Sequence, residues 1–135
     1  MAGSLTNIFA MSCATLSLIV ALAHAQAPDP HQVPIIDGQA GTCAVLFTVT
    51  DSKGAPVYDA RIRVHITYGF MGVRRLDLEA ATNIDGKAQF KGLPEKVKGG
   101  TLTFHAVQGN REGSATYDPA KECSLENHSI VLSGG

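Results

Sequence analysis

Two histidines and a carboxylate, His65, His105 and Asp77, are the side chains whose types could bind a metal or move a proton. All three fall on outward positions of alternating segments. Two imidazoles with one carboxylate suffice for zinc or copper if their strands lie side by side. None of the three has close ligand spacing to another, and a solvated cross-strand pair between His65 and Asp77 accounts for the same residues; this is the reading we favour. Arg61, Arg63, Arg74 and Arg75 could form a basic patch for an acidic glycan or phosphate, but Asp77 and Glu79 on the same hairpin would neutralise part of it. Serine and threonine are plentiful without the Gly-x-Ser-x-Gly elbow of a nucleophile. The chemistry-bearing residues therefore point to no catalytic site and no resident cofactor.

Tyr68-Gly69-Phe70-Met71-Gly72-Val73 is of another kind. A hairpin tip that only turns usually carries Asn, Asp or Gly with little apolar bulk, whereas this one offers Tyr68, Phe70, Met71 and Val73. Either these side chains form a contact surface or the loop folds back over the end of the domain, and the sequence leaves both open. Asn127-His128-Ser129 is a glycosylation sequon with meaning only in a eukaryotic source.

The elements that must position these residues begin with the N-terminus. Residues 1–25 contain no Asp, Glu, Lys or Arg, and Ile8 to Leu22 is a nearly unbroken apolar and small-residue run. That is the length of a signal-peptide core and short for a membrane span. Ala23-His24-Ala25 supplies the small residues a signal peptidase reads, so we expect cleavage before Gln26, whether translation starts at Met1 or Met11, and a secreted or periplasmic protein with no membrane span afterwards. Cleavage would remove Cys13 and leave Cys43 and Cys123, which we expect to bond in an oxidising compartment. The long loop they close corresponds to about 4 to 5 kcal/mol of chain-entropy stabilisation as an upper figure.

Residues 26–41 hold Pro28, Pro30 and Pro34 and read as an extended leader, with Val33, Ile35 and Ile36 available to dock. From residue 42 to 135 the apolar period is two, the mark of half-buried strands in a single domain. Cys43, Val45, Phe47 and Val49 share one face of the first strand, and its other face is apolar enough to argue against a free edge. Ala60, Ile62, Val64 and Ile66 alternate with Arg61, Arg63, His65 and Thr67; Leu76, Leu78 and Ala80 alternate with Arg75, Asp77 and Glu79. Paired as an antiparallel hairpin around Met71, Ile66 faces Leu76, Val64 faces Leu78, His65 meets Asp77 and Arg63 meets Glu79. Asp51 to Gly54, Asn83 to Gly86 and Lys98 to Gly100 are turn sequences. Further strands follow at Ala88 to Phe90, Leu102 to Ala106, Ser114 to Tyr117 and Ser129 to Leu132. Seven short strands in about ninety residues predict an all-β, antiparallel, immunoglobulin-like sandwich tied by one disulfide. A formal net charge of −1 argues against nucleic-acid binding, and the absence of Trp argues against a tryptophan platform for sugars.

Two stretches carry a further pattern. Val49-Thr50-Asp51-Ser52-Lys53-Gly54-Ala55-Pro56-Val57 leading to Ala60-Arg61-Ile62-Arg63-Val64, and Thr82-Asn83-Ile84-Asp85-Gly86-Lys87-Ala88-Gln89-Phe90 leading to Leu93-Pro94, together resemble the carboxypeptidase regulatory-like domain, a transthyretin-like sandwich. The resemblance covers Cys43 to Leu132 without the Pro-Gly-x-Tyr continuation that usually follows Pro94. It implies a non-catalytic accessory module; we expect a protein-binding or structural role with an unidentified protein or envelope partner, as a monomer or weak dimer. A hydrolase of 5-hydroxyisourate with a related fold ends in Tyr-Arg-Gly-Ser, unlike Leu132-Ser133-Gly134-Gly135 here, which argues against that activity. Two other roles are a small extracytoplasmic hydrolase or metal-binding protein using His65, Asp77 and His105, and a ligand carrier that dimerises through an edge strand.

Overall fold

The computed structural model describes residues 29–134, together with Gly3. Apart from Gly3, the proposed signal segment 1–25 and the first residues of the leader, 26–28, lie outside the described residues. No helix among those described is long and apolar enough to cross a membrane.

Eight strands form two four-stranded sheets packed face to face. They are β1 (Ile35–Asp37), β2 (Cys43–Thr50), β3 (Arg61–Tyr68), β4 (Arg74–Ala81), β5 (Lys87–Leu93), β6 (Leu102–Gln108), β7 (Arg111–Tyr117) and β8 (Glu126–Val131). The first sheet runs β1-β5-β2-β8 and the second β4-β3-β6-β7. The count is eight rather than seven because the leader itself supplies β1. Nor is the sandwich purely antiparallel, since β1 pairs with β5, and β8 with β2, in parallel. A parallel partner must arrive by a crossover from a sequence-distant segment, so no local hairpin signal announces it.

Alternation decides what is buried. In β2, Cys43, Val45, Phe47 and Val49 are buried while the residues between them are half-buried, because β2 lies inside its sheet between β5 and β8. In β3, Ile62, Val64 and Ile66 are buried between exposed Arg61, Arg63 and His65. The β3–β4 register is the one the apolar pattern dictates, with Ile66 opposite Leu76, Val64 opposite Leu78, His65 opposite Asp77 and Arg63 opposite Glu79. Four fully buried rings, Phe47, Phe90, Phe104 and Tyr117, bridge the sheets at the centre of the core. The Phe47 and Phe104 ring centres lie 4.6 Å apart and those of Phe90 and Phe104 5.1 Å, within the range where aromatic pairs attract.

Cys43 at the start of β2 is bonded to Cys123 in the loop before β8, across 80 residues of sequence. The Tyr117 hydroxyl donates to the Glu122 carbonyl (2.9 Å) and holds the same loop. Burial, reinforced by Glu122, Glu126 and Asp118, raises the Tyr117 phenol to about 12, so it remains a donor throughout physiological pH.

The leader is built into the sandwich. Asn83, almost wholly buried, accepts from the amides of Asp85 (3.0 Å) and Lys87 (2.9 Å) and donates to the carbonyls of His31 (2.9 Å) and Gln32 (3.2 Å). One side chain thus closes the β4–β5 turn and staples residues 31–32 to it. Gly86 completes that turn at φ 75°, where a Cβ would collide with the Val49 carbonyl.

Candidate functional site

Among the described residues, the most exposed apolar group is the end of the β3–β4 hairpin. After Tyr68, Gly69 turns the chain at φ 81°, and Phe70–Gly72 makes one tight turn closed by the Gly72 amide donating to the Gly69 carbonyl (3.1 Å). Met71 holds the left-handed conformation (φ 55°, ψ 22°), which is unfavourable for a side chain of this type. Such strain persists when the surrounding backbone over-determines it, and here both flanks are ordered strand.

Phe70, Met71 and Val73 are 85%, 82% and 75% exposed. Of the two readings left open by the sequence, a loop folded back over the sandwich is therefore not what these side chains do. Tyr68 differs from them: it is half-buried and packs on the core, so it serves as the tip's foot. The connection between β5 and β6 braces this foot. The Lys98 amide donates to the Thr67 carbonyl (2.7 Å), and Val97 bridges to Tyr68. Between the tip and this brace lies an open groove of about 750 Å³, mostly apolar, with Phe70 and Met71 on one wall and Lys96 and Lys98 on the other. Lys96, Val97 and Lys98 were not identified from the sequence as neighbours of the tip, although the alternation Lys-Val-Lys marks a short extended stretch with its apolar residue turned inward.

The histidines behave otherwise. His65 Nδ1 lies 2.6 Å from Asp77 Oδ1, both side chains exposed, as the cross-strand register requires. His105 pairs with Arg63 on β3 and Ser114 on β7, not with His65. The trio is not brought together as a ligand set: among the described residues the group of three that could hold a metal is Glu122, Glu126 and His128. Their ligand atoms lie within 4.8 Å of one another, with His128 Nε2 3.5 Å from Glu122 Oε1. Glu122 turns its other oxygen to the Asp118 amide (3.1 Å), and the His128 ring packs beside Phe47 and Tyr117. The spacing Glu126-x-His128 places two of these on one strand face; Glu122 joins them only through the disulfide loop, which is why sequence reading missed the cluster.

The arginines split into two groups. Arg61 and Arg63 both reach Glu79 (3.5 and 3.4 Å), so one carboxylate neutralises part of that end. Arg74 and Arg75 stand at the tip opposite Tyr68 and Thr67, with no ion pair among the described residues.

No protein-family model matches the sequence, and no curated protein matches it. Solved structures with a similar backbone course include the shaft pilin SpaA from Lactobacillus rhamnosus GG, at 12% identity over 69% of this chain and 47% of the pilin, with a TM-score of 0.47. The chain spans about half the length of that pilin. The 3-chlorocatechol 1,2-dioxygenase from Rhodococcus opacus 1CP gives 13% identity over 80% of this chain and 68% of that one, with a TM-score of 0.47. A catechol 1,2-dioxygenase from Acinetobacter sp. ADP1 gives 10% identity and a TM-score of 0.44. These likenesses carry no argument for a shared activity.

Proposed function

We propose that this chain is a non-enzymatic accessory module of the carboxypeptidase regulatory-like kind, exported by a signal peptide cleaved before Gln26 and acting outside the cytoplasm as a monomer or weak dimer. Its working surface is the hairpin tip, which engages a protein or envelope component. The observation that carries this reading is the exposure of Phe70, Met71 and Val73 together at the end of a hairpin whose other apolar residues are turned inward. Leaving three large apolar side chains in water is unfavourable by roughly 1.5 to 3 kcal/mol each relative to burial, and a structural turn has no use for them. The disulfide fits an oxidising compartment.

The test is a crosslinking pull-down from native envelope or culture supernatant, with the wild type beside a Phe70→Ser, Met71→Ser double variant. Capture by the wild type and its loss in the folded variant is the expected result. Equal capture by both would remove the tip from the function. Stoichiometric zinc or copper lost on substituting His65 or Asp77 would replace the module with a metal protein.

A further inference from the structure

We infer that the occupant of this tip is an anionic lipid surface, into whose headgroup region Phe70, Met71 and Val73 insert while Arg74, Arg75, Lys96 and Lys98 meet the phosphates. The inference rests on the tip being the working surface and names its partner. Charge distribution is the first argument. The chain has 11 Lys and Arg against 12 Asp and Glu, yet residues 67–75 and 96–100 hold four of those cations and no carboxylate. The carboxylates that neutralise basic residues elsewhere on this hairpin, Asp77 and Glu79, are engaged with His65, Arg61 and Arg63.

Position is the second argument. The cations flank the apolar residues: a Cβ at Gly72 would meet Lys98 Cδ at 3.2 Å and one at Gly69 would meet Arg74 Cγ at 3.3 Å, so both stems lie along the loop. Long cationic side chains in that position keep their heads at the level of phosphates while their stems cover apolar surface. Shape is the third. Three side chains at a projecting tip fall well short of the roughly 800 Å² per partner that a stable protein interface buries. Shallow insertion beside a basic collar needs only such a trio, because apolar burial and attraction to anionic lipid add.

The protein, purified as the cell exports it, is sedimented with vesicles of phosphatidylcholine alone and of phosphatidylcholine mixed with phosphatidylglycerol. Binding is expected only to the anionic vesicles, weakening as salt is raised. Lys96→Gln with Lys98→Gln should reduce affinity roughly thirtyfold, taking about 1 kcal/mol per cation near the surface. Phe70→Ser with Met71→Ser should abolish binding with an unchanged circular dichroism spectrum. Because the chain has no Trp, Phe70→Trp provides a single reporter whose emission should shift to the blue on anionic vesicles only. Equal binding to neutral vesicles, or undiminished binding by the lysine variant, overturns the inference. Failure to bind vesicles, with Phe70-dependent capture of a protein retained, overturns the lipid partner and leaves the tip as a contact surface. Vesicle binding indifferent to the Phe70 and Met71 substitutions overturns both.

Discussion

Two turns of this sandwich join neighbouring segments of similar length and are built in opposite ways. At the β4–β5 turn a polar residue, Asn83, is buried with four hydrogen bonds, and Gly86 presses against the Val49 carbonyl. At the β3–β4 tip, apolar residues stand in water and Met71 occupies a backbone conformation that glycine would hold more easily. The first turn is optimised for the fold, and the second gives up stability that a turn of Asn and Gly would have kept. Such a departure from the best local choice is what the proposed contact surface requires.

Breaking the first turn should have the largest effect. Asn83→Ala removes a buried side chain and leaves two part-buried amides and two carbonyls without their partner, and should lower unfolding free energy by about 2 kcal/mol or slightly more. Urea denaturation measures it, and a loss below about 1 kcal/mol would mean that water replaces the side chain. Gly86→Ala, strained by its positive φ and by contact with Val49, should cost about 2 kcal/mol in the same assay. The tip should respond in the other direction. Met71→Gly relieves the left-handed conformation and should raise stability by about 0.5 kcal/mol while weakening the binding proposed for the tip. The Phe70→Ser, Met71→Ser pair should lie within about 0.5 kcal/mol of wild type, as exposed positions do; a larger loss would show that the tip supports the fold after all.

The smallest effect separates the turns by pH. His31, beside the first turn, donates from Nδ1 to the Asp85 carboxylate (2.9 Å), and that hydrogen bond, with the charge of Asp85, raises its pKa above the ordinary 6.5. The folded state therefore favours protonated His31. The stabilisation is complete below pH 6.5 and is lost as pH rises through the raised value. Both partners are exposed and screened, so the effect is slight. Denaturation series from about pH 5 to 8 on wild type and His31→Gln should differ only in this slope, and identical slopes would dismiss the pair.

Much of this was legible in advance, because alternation and turn chemistry act over a few residues. The β3–β4 register followed from matching apolar to apolar across one turn, and it delivered the His65–Asp77 and Arg63–Glu79 pairs with it. What escaped was sequence-distant: β1 is three residues in a proline-bearing leader, and β8 reaches β2 only after the chain has crossed between sheets. The candidate site divides the same way. Phe70, Met71 and Val73 stood out as apolar bulk at a turn, but their exposure and the approach of Lys96 and Lys98 required the brace between Val97 and Tyr68.

Local pattern by itself determined that the chain is an all-β sandwich, which faces of β2 and β3 are buried, and which cysteines outside the leading apolar segment are available to bond. Tertiary structure alone decided that the leader belongs to the first sheet, that His105 stands apart from His65, and that Glu122, Glu126 and His128 converge. The physical reason is range: a pleated strand sets side-chain direction every second residue, whereas neighbours across a crossover depend on how two sheets bury their common core.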